Sequence, residues 1–152
     1  MRLRLLLFSA AVVASVLLLQ LYAAGPAVTV YKDPTCGCCS LWVKHLQENG
    51  FEVTVHEVEN MAEYKQKYGV PKSAQSCHTG IVDGYTIEGH VPATEIHRLL
   101  KERPQAKGLA VPGMPVGSPG MEVPNVPAQS YKVLLFKADG TTSVYREYPA
   151  GR

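Results

Sequence analysis

The pattern of apolar and polar positions divides the chain into three parts: a long apolar opening, a run of short alternating elements, and a Pro- and Gly-rich stretch closed by a hairpin. From Leu5 to about Ala24 only Ser9, Ser15 and Gln20 interrupt the apolar run. After it the period shortens. Val28-Thr29-Val30-Tyr31-Lys32 is β-branched and aromatic and predicts a strand, ended by Asp33-Pro34-Thr35. Leu41, Trp42, His45 and Leu46 then recur at three and four residues, which predicts a helix from Cys39 to Gln47 with one apolar face, stopped at Asn49-Gly50. Phe51 to Val58 alternates again, a second strand.

Asn60 is placed to cap a helix from Met61 to Tyr68, closed by Gly69-Val70-Pro71. Ile81-Val82 and Tyr85-Thr86-Ile87 flank Asp83-Gly84, a hairpin signal. Pro92-Ala93-Thr94 opens a helix over Glu95 to Arg103, with Ile96, Leu99 and Leu100 inward. Gly108 to Pro127 reads as an extended loop. Tyr131 to Phe136 and Thr142 to Tyr148 form a last hairpin around Asp139-Gly140. A strand–helix–strand opening implies parallel pairing through a right-handed crossover. The expected fold is α/β, with a thioredoxin-like core, an added Pro/Gly-rich loop and a C-terminal β-hairpin.

The opening segment sets the compartment. Arg2 and Arg4 precede the apolar run, and Ala23-Ala24-Gly25-Pro26-Ala27 follows it. A basic head, an apolar middle and a small-residue exit are the parts of an export signal. Residues 1–27 are therefore expected to act as a signal peptide or an uncleaved membrane anchor. The functional domain, 28–152, is expected outside the cytoplasm, in the periplasm, touching the membrane only through that segment. With Arg2 and Arg4 set aside, basic and acidic residues balance. No long basic run remains to bind phosphates, so nucleic acid is not an expected partner.

The chemistry sits in the four cysteines. Three fall within Cys36-Gly37-Cys38-Cys39, and Cys77 lies in a small-residue loop before the Asp-Gly hairpin. An exported chain with four cysteines ordinarily carries structural disulfides, but a structural framework spreads its cysteines along the chain. A sulfur at a helix N-terminus meets free backbone N–H groups and the positive end of the helix dipole, which favours thiolate. Clustered thiolates need a soft cation to offset their charge, and copper(I) accepts two or three sulfurs and can be shared between them. A tetrahedral zinc site is the competing use, although its ligands usually come as two separated pairs. The third reading is redox: Cys36-x-x-Cys39 has the spacing of a thioredoxin-like dithiol, with Cys38 and Cys77 as a second or resolving pair.

Several softer candidates surround the four sulfurs. Met114 and Met121 offer thioethers in the Pro-Gly loop. His78 adjoins Cys77, and His90 precedes Val91-Pro92. Either imidazole can ligate a metal or orient a thiolate. His45, His56 and His97 fall within predicted helices and a strand and are assigned structural roles, and Trp42 a core role.

The run Val30-Tyr31-Lys32-Asp33-Pro34-Thr35-Cys36-Gly37-Cys38-Cys39 with Trp42 and Gly50 resembles the CopG-type copper-resistance proteins. So do Ser76-Cys77-His78-Thr79, Tyr85 to Ala93, and Gly108 to Pro115 with Gly117 to Glu122. The resemblance covers about residues 28 to 148. It implies a small thioredoxin-like envelope protein that handles copper under copper stress, in concert with other envelope copper-handling proteins. It also implies a polynuclear copper–thiolate centre on Cys36, Cys38, Cys39 and Cys77, with interconversion of copper oxidation states.

Overall fold

The computed structural model describes residues 25–151. The expected signal or anchor therefore lies almost wholly outside the described residues, and among those described no helix is long and apolar enough to cross a membrane. The elements run β1 (Ala27–Lys32), α1 (Gly37–Glu48), β2 (Glu52–Glu57), α2 (Met61–Lys67), a 3-10 turn (Lys72–Ala74), β3 (His78–Val82), β4 (Tyr85–Glu88), α3 (Ala93–Glu102), β5 (Gly108–Ala110), β6 (Tyr131–Phe136) and β7 (Thr142–Tyr148). All seven strands join one mixed sheet in the order β2-β1-β3-β4-β5-β6-β7. β1 and β2 are parallel, Val28 opposite Val53, as a strand–helix–strand crossover requires. β1 and β3 are antiparallel, with Lys32 opposite His78. β4 and β5 are parallel. The remaining neighbours, β3–β4, β5–β6 and β6–β7, are antiparallel.

The main core gathers Val28, Val30, Trp42, Leu46, Ile87, Ile96, Leu99 and Leu109. Trp42 has no exposed surface, and its indole N–H donates to the Val91 carbonyl at 2.9 Å. That bond lets a polar-tipped aromatic be buried without an orphaned donor.

Four expectations are corrected. α1 starts at Gly37, two residues before the expected Cys39, so Cys36 holds the N-cap position. The face that α1 buries is Cys39, Trp42, Val43 and Leu46, whereas Leu41 is 55% exposed. The buried set is an i, i+3, i+4, i+7 stripe counted from Cys39, and Leu41 and His45 lie beside it. Asn60 stands at the head of α2, but its side chain makes no capping bond. Finally, Gly108–Ala110 is not loop but the buried strand β5, which bridges the first four strands to the final hairpin. Three residues are too few to display a period, so no pattern marks this strand.

Candidate metal centre

β1 and β3 run antiparallel, so the end of β1 and the start of β3 lie at the same end of these two neighbouring strands. This brings the Cys36–Cys39 turn beside Cys77. All four Sγ atoms lie within 4.8 Å of one another. Two sulfurs on one ion, each at about 2.3 Å, stand roughly 3.8 Å apart in a tetrahedral arrangement and roughly 4.6 Å apart when opposite. The observed spread is near these separations for a set in which Cys36 and Cys39 are joined to each other.

The first arm is local. Asp33 accepts the backbone N–H of Thr35 at 2.8 Å and its hydroxyl at 2.5 Å, and Cys36 N–H donates to the Asp33 carbonyl at 3.1 Å. This Asx turn points Cys36 into the head of α1. Cys38 and Cys39 fall in the first turn, and Cys39 is fully buried. Cys36 and Cys39 are joined as a disulfide, their Cα atoms 5.4 Å apart. Cys38 and Cys77 are free thiols, and the Cys38 sulfur lies 3.5 Å from that of Cys36.

The second arm is built from a distance. The Cys77 sulfur lies 3.1 Å from His90 Nε2 and 3.2 Å from His78 Nδ1, a second group able to hold a metal. His90 Nδ1 is 2.8 Å from the Pro119 carbonyl, so it carries the proton. Nε2 then presents its lone pair to Cys77, the orientation that a second partner gives to a ligating histidine. His78 is fully buried against Trp42, ring centroids 4.3 Å apart, and its Nε2 finds no hydrogen-bond partner among the described residues.

Burial holds both imidazoles below the usual histidine range, and for His78 the neighbouring His90 and Lys65 add to it. Neutral imidazole is the metal-binding form. Burial, and then the neighbouring Cys38, push the Cys77 thiol up to about 11. Cys77 therefore keeps its proton in the metal-free protein. A cation that displaces the Cys77 proton supplies the missing charge.

Behind Cys77 lies a network whose role no residue pattern announces, although Ser76, Thr79 and Glu88 fall within the segments that carry the resemblance. Glu88, fully buried, accepts the Ser76 backbone N–H at 2.7 Å, the Thr79 hydroxyl at 2.7 Å and the Lys65 ammonium at 2.6 Å. Gly89 N–H donates to the His78 carbonyl at 3.0 Å. Gly89 has φ +71°, and a Cβ there would stand 2.5 Å from the Ser76 side chain, so only glycine fits.

The Pro-Gly segment folds over the site. Ser76 Oγ donates to the Gly113 carbonyl, and Ser118 and Pro119 are buried. A Cβ at Gly120 would meet Trp42 N at 2.8 Å and the Cys38 carbonyl at 3.0 Å, so the segment crosses directly above the first turn of α1. Met114 is 52% exposed on this segment, and Met121 is half-buried. His45 accepts the Ala93 N–H at 3.0 Å, His97 lies 2.9 Å from the Asn49 carbonyl, and His56 stacks on Tyr31; all three lie outside the metal-capable groups.

Two solved structures share this architecture. One, titled "Copper resistance protein copG- Form 2", is 50% identical, with a TM-score of 0.78 over 82% of this chain and 99% of that one. The other, titled "Copper resistance protein copG- Form 1", is 50% identical, with a TM-score of 0.76 over 81% of this chain and 97% of that one. The chain belongs to the CopG family of copper resistance proteins. The family model described as "Protein of unknown function, DUF411" matches residues 74–121, which carry Cys77, His78, His90, Met114 and Met121 but begin after the Cys36–Cys39 turn. No curated protein matches the chain. This member of the CopG family thus carries a cysteine cluster able to hold metal.

Proposed function

We propose that this CopG protein binds copper(I) through Cys36, Cys38, Cys39 and Cys77 as shared thiolates, and that it serves copper resistance in the periplasm. The observation that carries the reading is the convergence of four sulfurs within 4.8 Å from two distant parts of the chain. Soft thiolates select copper(I), and several ions per chain would neutralise the four sulfur charges. His90 and His78 add nitrogen donors beside Cys77, and Met114 and Met121 provide thioethers on the covering segment. Zinc is the competing ion for the four sulfurs, and elemental analysis separates the two.

The frame we assign is thioredoxin-like. Its support is the β2-β1-β3-β4 order with β1 parallel to β2 and antiparallel to β3, and a Cys-x-x-Cys turn at the head of α1. The domain of 28–152 would carry the segment after β5, 111–127, and the 131–148 hairpin as additions. Residues 1–27 would direct export or anchor the chain. Copper would pass to and from other envelope copper-handling proteins.

The Cys36–Cys39 disulfide favours a second reading, a thiol–disulfide or copper oxidoreductase. That disulfide must be reduced before either sulfur can hold metal. The test is anaerobic copper(I) titration with elemental analysis of the reduced wild type and of each Cys→Ser variant. A cluster protein loses bound copper in all four variants. A plain dithiol enzyme keeps its activity in Cys38→Ser, and that result, with unchanged copper content, would refute the cluster.

A further inference from the structure

The pair formed by Glu88 and Lys65 is the buried charge that the site does not itself use. Lys65 and Glu88 side chains are 7% and 0% exposed, 2.6 Å apart. Taking two charges out of water costs several kcal/mol per ion, and a well-packed apolar pair of similar volume is often as stable or more so. Stability alone therefore does not account for an ion pair here.

What the pair does hold is specific. Glu88 Oε1 receives the N–H of Ser76, the residue before Cys77, and Oε2 receives the hydroxyl of Thr79, two residues after it. The chain then leaves Glu88 through Gly89, whose N–H grips the His78 carbonyl, to His90, whose Nε2 faces the Cys77 sulfur. One carboxylate thus ties both sides of Cys77 to the strand that delivers His90. Lys65 touches no cysteine in this network; its bonds go to Glu88 and, at 3.5 Å, to Thr79.

We infer that Glu88 is a positioning residue for metal binding: it sets the Cys77 sulfur against His90, and Lys65 balances its charge. The inference rests on the reading of Cys77 as a ligand, and it separates two properties that usually move together. Replacing the pair by Lys65→Met with Glu88→Met removes the charges and the bonds to Ser76 and Thr79 while keeping the volume filled. Losing the charges themselves is expected to cost the fold little, whereas the freed Ser76 N–H and Thr79 hydroxyl lower its stability modestly. Copper(I) binding is expected to weaken roughly ten- to a hundredfold, the usual scale for losing an outer partner of a ligand. Lys65→Met with Glu88→Gln keeps an amide carbonyl to accept the Ser76 N–H and should restore most of the affinity.

The experiment uses the full chain, reduced and anaerobic. Copper(I) is titrated against a chromogenic copper(I) chelator, and thermal unfolding is followed on the same samples. The rate at which a maleimide labels Cys77 in metal-free protein is read by peptide mass. Weaker copper(I) binding and faster Cys77 labelling in the Met/Met pair, with rescue in the Met/Gln pair, support the inference. Wild-type affinity and labelling in the Met/Met pair overturn it. So does an equal loss in both pairs, which would place the effect in the fold. Should the Met/Met pair not fold, the Met/Gln pair decides: Cys77 labelling and copper(I) affinity near wild type support the inference, whereas labelling as fast as in denatured protein, with copper(I) affinity as low as that of Cys77→Ser, overturns it. Absence of copper binding in the wild type would sink the copper reading alone, because Cys77 labelling in metal-free protein still reports positioning.

Discussion

The two arms of the centre are built by opposite means. The Cys36–Cys39 arm is made from a few consecutive residues: an Asx turn at Asp33 and the first turn of α1. The Cys77 arm depends on residues from α2, β3, β4 and the covering segment, tied through Glu88 and Pro119. A local arm tolerates remote change, whereas a distributed arm transmits it. The contrast means that three sulfurs are positioned by short-range sterics and the fourth by the tertiary fold.

The largest test of that contrast is chemical. Oxidised protein, with Cys36 and Cys39 joined, should bind markedly fewer copper(I) ions than reduced protein in an anaerobic titration. The difference should vanish in a Cys36→Ser/Cys39→Ser variant, and its persistence there would break the comparison. Next is the distributed arm. Glu88→Ala leaves the Lys65 ammonium buried with only Thr79 at 3.5 Å. A stability loss of about 3–5 kcal/mol is expected in denaturant unfolding, the scale for a broken buried pair.

A smaller effect is expected at the wall between the arms. Trp42→Phe keeps much of the packing but abandons the Val91 carbonyl. About 1–3 kcal/mol should be lost by the same measurement. The smallest test concerns the local arm alone. Thr35 donates both its hydroxyl and its N–H to Asp33, which holds that carboxyl below the ordinary value of 3.8. A lowered folded value means that the turn's stabilisation is present above the unfolded value and fades as pH falls through the folded one. Carboxyl NMR titration should give a midpoint under the usual range, and Thr35→Val, which removes the hydroxyl bond, should raise it.

How legible each arm is follows from the same difference. β1, the Asp83-Gly84 hairpin, α3 and the strands of the final hairpin carry strong local patterns, and each is found close to its expected bounds. Cys36, Cys38 and Cys39 announce themselves by adjacency. His90 is a candidate by residue type, but its distance to Cys77 is set by the β3–β4 register, which single-sequence periodicity does not encode. Glu88 and Lys65 stay hidden for a related reason: a charged residue in a strand or short helix ordinarily reads as a solvated face. β5 escapes notice because its three residues gain their identity from their neighbours in the sheet.

The pairing of Lys32 with His78 has a consequence for how the centre comes into being. Until that central ladder zips, the chain carries a triplet of sulfurs at one place and a solitary thiol far along the backbone. The four-sulfur set is therefore complete only once the middle of the sheet has closed. A one-residue slip in the ladder would turn Cys77 toward the opposite side, leaving a chain that is nearly folded yet short of the fourth sulfur.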